Sequence, residues 1–97
     1  MVIISESLYS IDIFDQVVKS ISEITHVPEF ISITGPYARF LSKKNIKSIT
    51  MYEFDDSKFS EAYEYIVDRL HACSKLSGYS IKTKVWYQEQ QLSALSK

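Results

Sequence analysis

Residues 46–58 read Ile-Lys-Ser-Ile-Thr-Met-Tyr-Glu-Phe-Asp-Asp-Ser-Lys, and this stretch decides the fold. Segment 46–54 has the alternating pattern of a β-strand, in which every second side chain points to the same face. Both faces carry large apolar groups, as is typical of a central strand that is covered on both sides. The acidic and hydroxyl residues that follow favour a helix start, with Asp56 or Ser57 as the capping oxygen. The stretch therefore predicts a strand that leads directly into a helix.

The same alternation of strand and helix extends in both directions. Downstream, 59–73 has the three-and-four spacing of an amphipathic helix, and 79–87 alternates as a strand. Upstream, 2–8 and 31–41 have the pattern of strands, and between them Ser10 is placed to cap a helix. The apolar stripe of that first helix is Ile13, Phe14, Val17, Val18, Ile21 and Ile24. The predicted order is strand-helix-strand-strand-helix-strand.

This order predicts an α+β fold of the ferredoxin-like kind, a four-stranded antiparallel sheet with two helices on one face. The first and third strands are then central. Pro36 in the second strand and Lys82 and Lys84 in the fourth suit edge strands, because a proline cannot donate to the ladder and a charge discourages stray pairing.

Two helices leave the other face of such a sheet uncovered, roughly 500 Å² for four strands of about eight residues. An apolar patch of a few hundred Å² usually marks a contact, so we expect a homodimer that pairs sheet on sheet. The residues expected on the uncovered face are Ile3, Thr50, Tyr52, Phe54 and Trp86.

Composition limits the possible functions. A chain of 97 residues is one small domain, which we place at 1–88 with a polar tail at 89–97. The net charge of −1 argues against nucleic acid or an anionic membrane as partner. Cys73 is the only cysteine, and we find neither a signal peptide nor a membrane-spanning run. We expect a soluble, cytoplasmic protein without a cofactor.

The stretch 46–58, together with Gly78, Tyr79 and Trp86, resembles the dimeric α+β barrel superfamily, and within it a group of small prokaryotic proteins without an assigned function. The resemblance covers most of the chain as a pattern and contains no catalytic signature. It implies ferredoxin-like protomers that pair through their sheets. Members of the superfamily include small monooxygenases, isomerases and ligand-binding domains, so the resemblance supports the fold more than any one function.

Four side chains are candidates for binding a small organic ligand near the sheet: Tyr37, Arg39, Tyr52 and Trp86. Their polar tips suit an aromatic or carboxylate ligand, and the forked donors of Arg39 suit an anion. The structural alternative, which we favour, is that Tyr52 and Trp86 pack in the dimer interface and that Arg39 is a solvated edge charge.

The remaining polar residues give weaker signals. His26 is a further ligand candidate if it meets His71 beside a pocket, but a lone histidine in either place is more often a surface residue. A metal site would need a third ligand that the sequence does not supply. Cys73, at a helical core position, suits a buried apolar role better than a nucleophile. Binding of RNA is disfavoured, because Ile49 and Met51 stand where stacking rings are required.

Three functions remain open. The first is a small homodimeric protein that binds a small organic ligand. The second is a cofactor-independent enzyme of the monooxygenase or isomerase type, for which no catalytic constellation can be named. The third is a scaffold for another protein.

Overall fold

The computed structural model describes residues 1–23 and 26–95. The strands are β1 (Val2–Ser10), β2 (Ile31–Phe40), β3 (Asn45–Phe54) and β4 (Ser80–Trp86). The helices are α1 (Phe14–Ser22), α2 (Phe59–His71) and a short α3 (Glu89–Leu95). One-turn 3-10 segments, Ile11–Ile13 and Asp56–Lys58, lead into α1 and α2.

The four strands form one antiparallel sheet in the order β2-β3-β1-β4. The first and third strands are therefore central and the second and fourth are edges, as the proline and lysine positions predicted. With α1 and α2 between the strands, this is the ferredoxin-like α+β fold.

The core between sheet and helices consists of two apolar clusters. One lies under α2 and contains Ile3, Ile31, Tyr52, Phe54, Ala62 and Ile66. The other lies at the opposite end of the sheet and contains Tyr9, Val17, Ile46 and Cys73. Between them the helix side of the central strands carries hydroxyl groups, from Ser5, Ser7, Ser48 and Thr50. We call these four residues the hydroxyl seam.

The predicted membership of the uncovered face was wrong for four of its five residues. Ile3, Thr50, Tyr52 and Phe54 are 1–8% exposed and lie on the helix side. Only Trp86, 53% exposed, points to the side away from the helices. The strands were predicted correctly, but their two faces were exchanged. Strands β1 and β3 carry apolar groups on both faces, so the sequence does not show which face meets the helices.

The helix starts agree with the sequence in one case and differ in the other. The Ser10 hydroxyl accepts a hydrogen bond from the Asp12 backbone N–H at 3.2 Å, as predicted. At the second helix the cap is Asp55, not Asp56 or Ser57, since its Oδ1 accepts from the Ser57 backbone N–H at 2.9 Å. That bond, together with one from the Ser57 hydroxyl, lowers the pKa of Asp55.

Strand β2 is interrupted where the sequence placed Gly35 and Pro36. Its pairing with β3 shifts between Thr34 and Tyr37. Gly35 has a φ of +102°, and a Cβ there would lie 2.9 Å from the backbone oxygen of Ile49. Beyond this bulge the strand is exposed, including Phe40 at 62%.

Helix α1 uses its apolar stripe only in part. Val17 is buried, and Ile13 and Ile21 are half-buried. Phe14 and Val18 are 40% and 50% exposed, because no element covers them beside the second half of β2. Ile24 lies outside the described residues.

The C-terminal segment forms α3 and contacts the end of the sheet. The Gln91 amide hydrogen-bonds to Oδ2 of Asp56, and Oδ1 of Asp56 pairs with the Met1 amino group at 2.9 Å. Of the predicted tail, Ser96 and Lys97 lie outside the described residues. The boundary at residue 88 stays a prediction.

Candidate functional site

The side of the sheet away from α1 and α2, which we call the open face, carries four rows of side chains. Each row runs β2, β3, β1, β4 and follows from the strand register. The rows are Ser32, Glu53, Val2 and Trp86; Thr34, Met51, Ile4 and Lys84; Tyr37, Ile49, Glu6 and Lys82; and Arg39, Lys47, Leu8 and Ser80.

Glu6 lies in the middle of the open face and is shared by two lysines. Its Oε1 is 3.5 Å from Nζ of Lys47, and its Oε2 is 3.6 Å from Nζ of Lys82. Desolvation raises the pKa of this carboxyl, but the two ammonium groups together outweigh it, and the net shift is downward. Glu6 is thus an ionised acceptor whose two oxygens both already face a cation.

Arg39 adds a third cation beside this group. It is the direct cross-strand neighbour of Lys47 on β3. Within 1–23 and 26–95 the ion pairs join Met1 to Asp56 and Glu6 to its two lysines, so Arg39 has no carboxylate partner there. One carboxylate, Glu6, thus lies near three cations: Lys47, Lys82 and Arg39. This edge of the open face therefore has an excess of positive charge.

A shallow cup of about 300 Å³ lies at this edge. Its lining is Glu6, Tyr37, Ala38, Arg39, Lys47 and Ile49. Tyr37 is 65% exposed, so its ring and hydroxyl are available to a ligand. Two predicted site residues, Tyr37 and Arg39, thus share one site.

Trp86 lies on the same face but in the opposite corner. It is separated from Arg39 by about 14 Å across the strands and about 20 Å along them. It lines a different small depression with Ile4, Glu6, Lys82 and Lys84. No single small molecule bridges Trp86 and Arg39 within one protomer.

Tyr52 lies on the other side of the sheet, so it is not part of this cup. It is 1% exposed, and the Arg69 guanidinium carbon is 5.8 Å from the centre of its ring. Burial raises the pKa of its phenol, and nearby Arg69 partly offsets this. Its predicted place on the uncovered face was wrong, because the sequence does not show which face of β3 meets the helices, and its role as a ligand residue stays a prediction.

Neither histidine lines the cup described above, and a shared site for His26 and His71 stays a prediction. His26 is exposed in the segment between α1 and β2. His71 ends α2, and its Nδ1 is 3.1 Å from the Ser74 hydroxyl. In the part of the chain that the structure describes, no three His, Cys, Asp or Glu side chains are grouped to hold a metal ion. Cys73 is buried, which raises the pKa of its thiol, and its role is packing.

The helix side of the sheet holds a second pair of hollows. The larger, which we call the helix-side groove, has a volume of about 380 Å³ and lies between α1 and the exposed half of β2. Its lining is Ser7, Tyr9, Phe14, Val17, Val18, Ile21, Ser22, Pro36, Ala38 and Ser48. A smaller inner pocket of about 30 Å³ follows the hydroxyl seam, and its polar lining includes Tyr52, Tyr79 and Arg69.

Sequence reasoning placed Lys82 and Lys84 on an edge strand but missed Lys47 and Glu6 as site residues, and it missed the pairing of Glu6 with Lys47 and Lys82. Glu6 is the one charged residue within the apolar first strand, and this was the signal that β1 has a face without a core. The partners of Glu6 depend on the register of three strands, which no local pattern supplies. Nothing in the sequence predicted the helix-side groove. It exists because no other element covers Phe14 and Val18.

A search of protein-family models finds no match for the chain, and a search of the curated proteins finds none either. Among solved structures the chain is similar to the de novo designed protein Foldit4, with 12% identity and a TM-score of 0.53 over 89% of this chain and 98% of that one.

Two enzymes also contain a region of similar shape. A tripeptidase from Staphylococcus aureus has 12% identity and a TM-score of 0.51, over 86% of this chain and 28% of that chain. An amidase of the hydantoinase/carbamoylase family from Burkholderia ambifaria has 11% identity and a TM-score of 0.51, over 89% of this chain and 27% of that one. This chain spans less than a third of either enzyme. Identities this low show the fold alone.

None of the helices in the described part of the chain is both long enough and apolar enough to cross a membrane.

Proposed function

We propose that this chain is a cytoplasmic homodimer of the dimeric α+β barrel kind that binds a small organic anion on the open face, beside Tyr37, Arg39 and Lys47. The observation that carries the ligand class is the charge of the cup. Arg39 and Lys47 are adjacent, and the one nearby carboxylate, Glu6, already faces Lys47 and Lys82. A carboxylate ligand would complete this group through bidentate bonds to Arg39, with the Tyr37 ring against its apolar part.

The cup is open to solvent, so a ligand in one protomer alone would stay largely exposed. Ligand sites usually bury about 70–90% of a small molecule. A second copy over the open face provides that cover. The face also exposes apolar side chains that favour a partner, with Leu8, Ile49 and Met51 each 37–41% exposed. The sheet contributes roughly 500 Å², and loops would supply most of the rest of the ~800 Å² per partner that stable interfaces bury.

The Glu53 carboxylate favours one arrangement of the dimer, although the same arrangement also brings Lys82 over the partner's Lys84 at the exposed edge strands. Packed sheets keep their strands within about 30° of each other, so the twofold axis runs nearly along or nearly across the strands. An axis across the strands places Glu53 over Lys47 of the partner subunit and Met51 over the partner's Ile49. An axis along them places Glu53 over the partner's Val2, which leaves the carboxylate unpaired.

The same arrangement leaves room for the ligand. It places Arg39 under the partner's Ser32 and Tyr37 under the partner's Thr34. These side chains are short, so a gap remains above each cup. The dimer would then hold two equivalent sites at its edges.

Sedimentation analysis tests the assembly. We expect a dimer at micromolar concentration and a monomer for Met51→Lys, because an unpaired ammonium would be buried at the centre of the interface. The matched control is Val67→Lys on α2, at 36% exposure against 37% for Met51, which should remain dimeric. A monomeric parent protein, or equal dissociation of both variants, would refute the assembly.

A thermal-shift screen of aryl carboxylates, beginning with benzoate, tests the ligand. A ligand that binds only the native state stabilises it by about 2.7 kcal/mol at 100 times its Kd, so a hit should raise the melting temperature. Arg39→Gln should abolish the shift, whereas Lys75→Gln, beyond the end of α2, should keep it. If no carboxylate raises the melting temperature of a dimeric parent, the ligand class is wrong although the assembly stands.

A further inference from the structure

The helix-side groove and the inner pocket lie on the face of the sheet opposite to the proposed open-face site, and neither proposal needs the other. The two hollows share four lining residues: Ser7, Ile21, Pro36 and Ser48. The apolar groove and the smaller pocket therefore adjoin at these side chains.

The groove is apolar along one helix. Phe14 and Val18 of α1 are 40% and 50% exposed along it, although both belong to a stripe that a core would normally cover. From Phe14 to Ser22 the helix is about 12 Å long, which suits an extended chain of about eight carbons. None of the residues that line the groove carries a charge.

The inner pocket has a mixed lining of hydroxyl and apolar side chains, and it contains a cation that has no anionic partner among the described residues. Arg69 on α2 is half-buried; its Nη1 lies 3.5 Å from the Tyr65 hydroxyl, and its guanidinium stacks over the Tyr52 ring and interacts with the Tyr52 phenol, both of them neutral groups. The ion pairs found in the described ranges do not include it. Ser5, Ser7 and Thr50 are each less than 9% exposed, and Ser5 and Ser7 bond to the phenols of Tyr52 and Tyr79, so the wall beside Arg69 is polar.

A partly desolvated guanidinium is stabilised by an anion that accepts its hydrogen bonds. The hydroxyl seam and the phenols of Tyr52 and Tyr79 form a polar wall around the same point, in which Ser5 bonds to Tyr52 and Ser7 to Tyr79. An anionic head therefore fits the pocket, and an alkyl chain fits the groove that opens beside it.

We propose that the helix-side groove and inner pocket form one binding site for a medium-chain fatty acid, with its carboxylate toward Arg69 and its alkyl chain along α1. A protein segment in the groove would pair the arginine only if it carried an acidic side chain long enough to reach over Ser7 and Ser48 into the pocket. A neutral lipid would fill the groove but give the cation no partner.

Titration calorimetry with octanoate, and with 1-octanol as its neutral match, tests the head group. We expect octanoate to bind at least tenfold more tightly than octanol. Arg69→Met should remove that preference and leave the affinity for octanol unchanged, whereas Lys75→Met should change neither. Equal affinity for the two probes in the parent protein, or a preference that survives in Arg69→Met, would overturn the proposal.

A second variant tests the chain end without touching the core. Ala38 is exposed on the floor of the groove, and Ala38→Phe should fill it and weaken both probes at least tenfold. Thr83→Phe, on the helix side of the opposite edge strand, is the control and should bind both normally. Unchanged binding to Ala38→Phe would place octanoate elsewhere and overturn the proposal. Benzoate at the open face should not displace octanoate, and competition between the two would overturn it as well.

Discussion

Gly35 is the residue at which the backbone tolerates least change. Its φ of +102° is one that other residues rarely adopt, and a Cβ would meet the Ile49 backbone oxygen at 2.9 Å. Gly78 has a φ of +83° but open space around it. An alanine at Gly78 would meet only the unfavourable backbone conformation, whereas an alanine at Gly35 would meet that conformation and a steric clash. Comparing the two substitutions therefore separates the two energetic costs.

We predict that Gly35→Ala destabilises the protein more than Gly78→Ala. The left-handed conformation alone costs roughly 1–2 kcal/mol for a residue with a Cβ. Gly78→Ala should lose about that much, and Gly35→Ala should lose more because the carbonyl of β3 must also move. Urea denaturation of both variants measures the difference. Equal losses would mean that β3 shifts freely at Ile49.

Tyr79 gives the chain an alkaline limit. Burial raises the pKa of its phenol to about 12, although the Ser7 hydroxyl lowers it in part. An unfolded tyrosine loses its proton near pH 10, whereas the folded one keeps it, so stability is complete below about pH 10 and is lost as the pH rises toward 12.

The variant Tyr79→Phe should therefore show a shallower fall in unfolding free energy above pH 10. Burial also raises the pKa of Tyr9 and of Tyr52, so part of the fall should remain. Denaturant midpoints measured from pH 7 to pH 11 test this. A fall in the variant as steep as in the parent would mean that Tyr79 does not contribute.

At the level of elements, α2 holds the larger cluster in place. Ile66 is 1% exposed and packs with Ile3, Tyr52 and Phe54, whereas its neighbour Val67 is 36% exposed. We predict that Ile66→Ala costs about 2–5 kcal/mol of unfolding free energy, as buried truncations do.

The paired variant Val67→Ala should cost no more than about 0.5 kcal/mol. Both are single apolar truncations one residue apart, so the comparison isolates burial from helix propensity. Chemical denaturation measures both. A loss at Val67 as large as that at Ile66 would mean that this side of α2 is covered by something that the single chain does not show.

The order of elements was predictable because it rests on local signals. Alternation, capping oxygens and the positions of Pro36, Lys82 and Lys84 gave the helices, the strands and the edges. The facing of β1 was not predictable. Its helix side contains Ser5 and Ser7, and its open side contains Ile4 and Leu8, so hydrophobicity assigns the wrong side to the core.

The candidate site divides in the same way. Tyr37 and Arg39 are two residues apart on one strand, so any correct strand assignment puts them on one face. The distance to Trp86 and the pairing of Glu6 with its lysines depend on strand order and register, which are properties of the whole sheet. The exposure of Phe14 could not be predicted, because Phe14 belongs to the continuous apolar stripe of α1, which normally packs in a core.

For the whole molecule, the proposed twofold axis makes Glu53 a test residue. Glu53→Lys would place two ammonium groups opposite each other at both ends of the interface. We predict that it weakens the dimer at least about tenfold, or about 1.4 kcal/mol. Adding Lys47→Glu should restore part of the loss.

Glu64→Lys, which makes the same change of charge on the exposed side of α2, is the control for this variant. Sedimentation at several concentrations gives the dissociation constants. If Glu53→Lys dimerises like Glu64→Lys, the axis does not run across the strands.

The hydroxyl seam lies between the two apolar clusters on the helix side of the central strands. Apolar burial joins distant parts of a domain into one cooperative unit, and this join is weak along the seam. We therefore expect α1, in which Val17 alone is buried, to separate from the sheet more readily than α2. Such a local opening gives a guest molecule a way into the space beneath, while the rest of the fold stays intact.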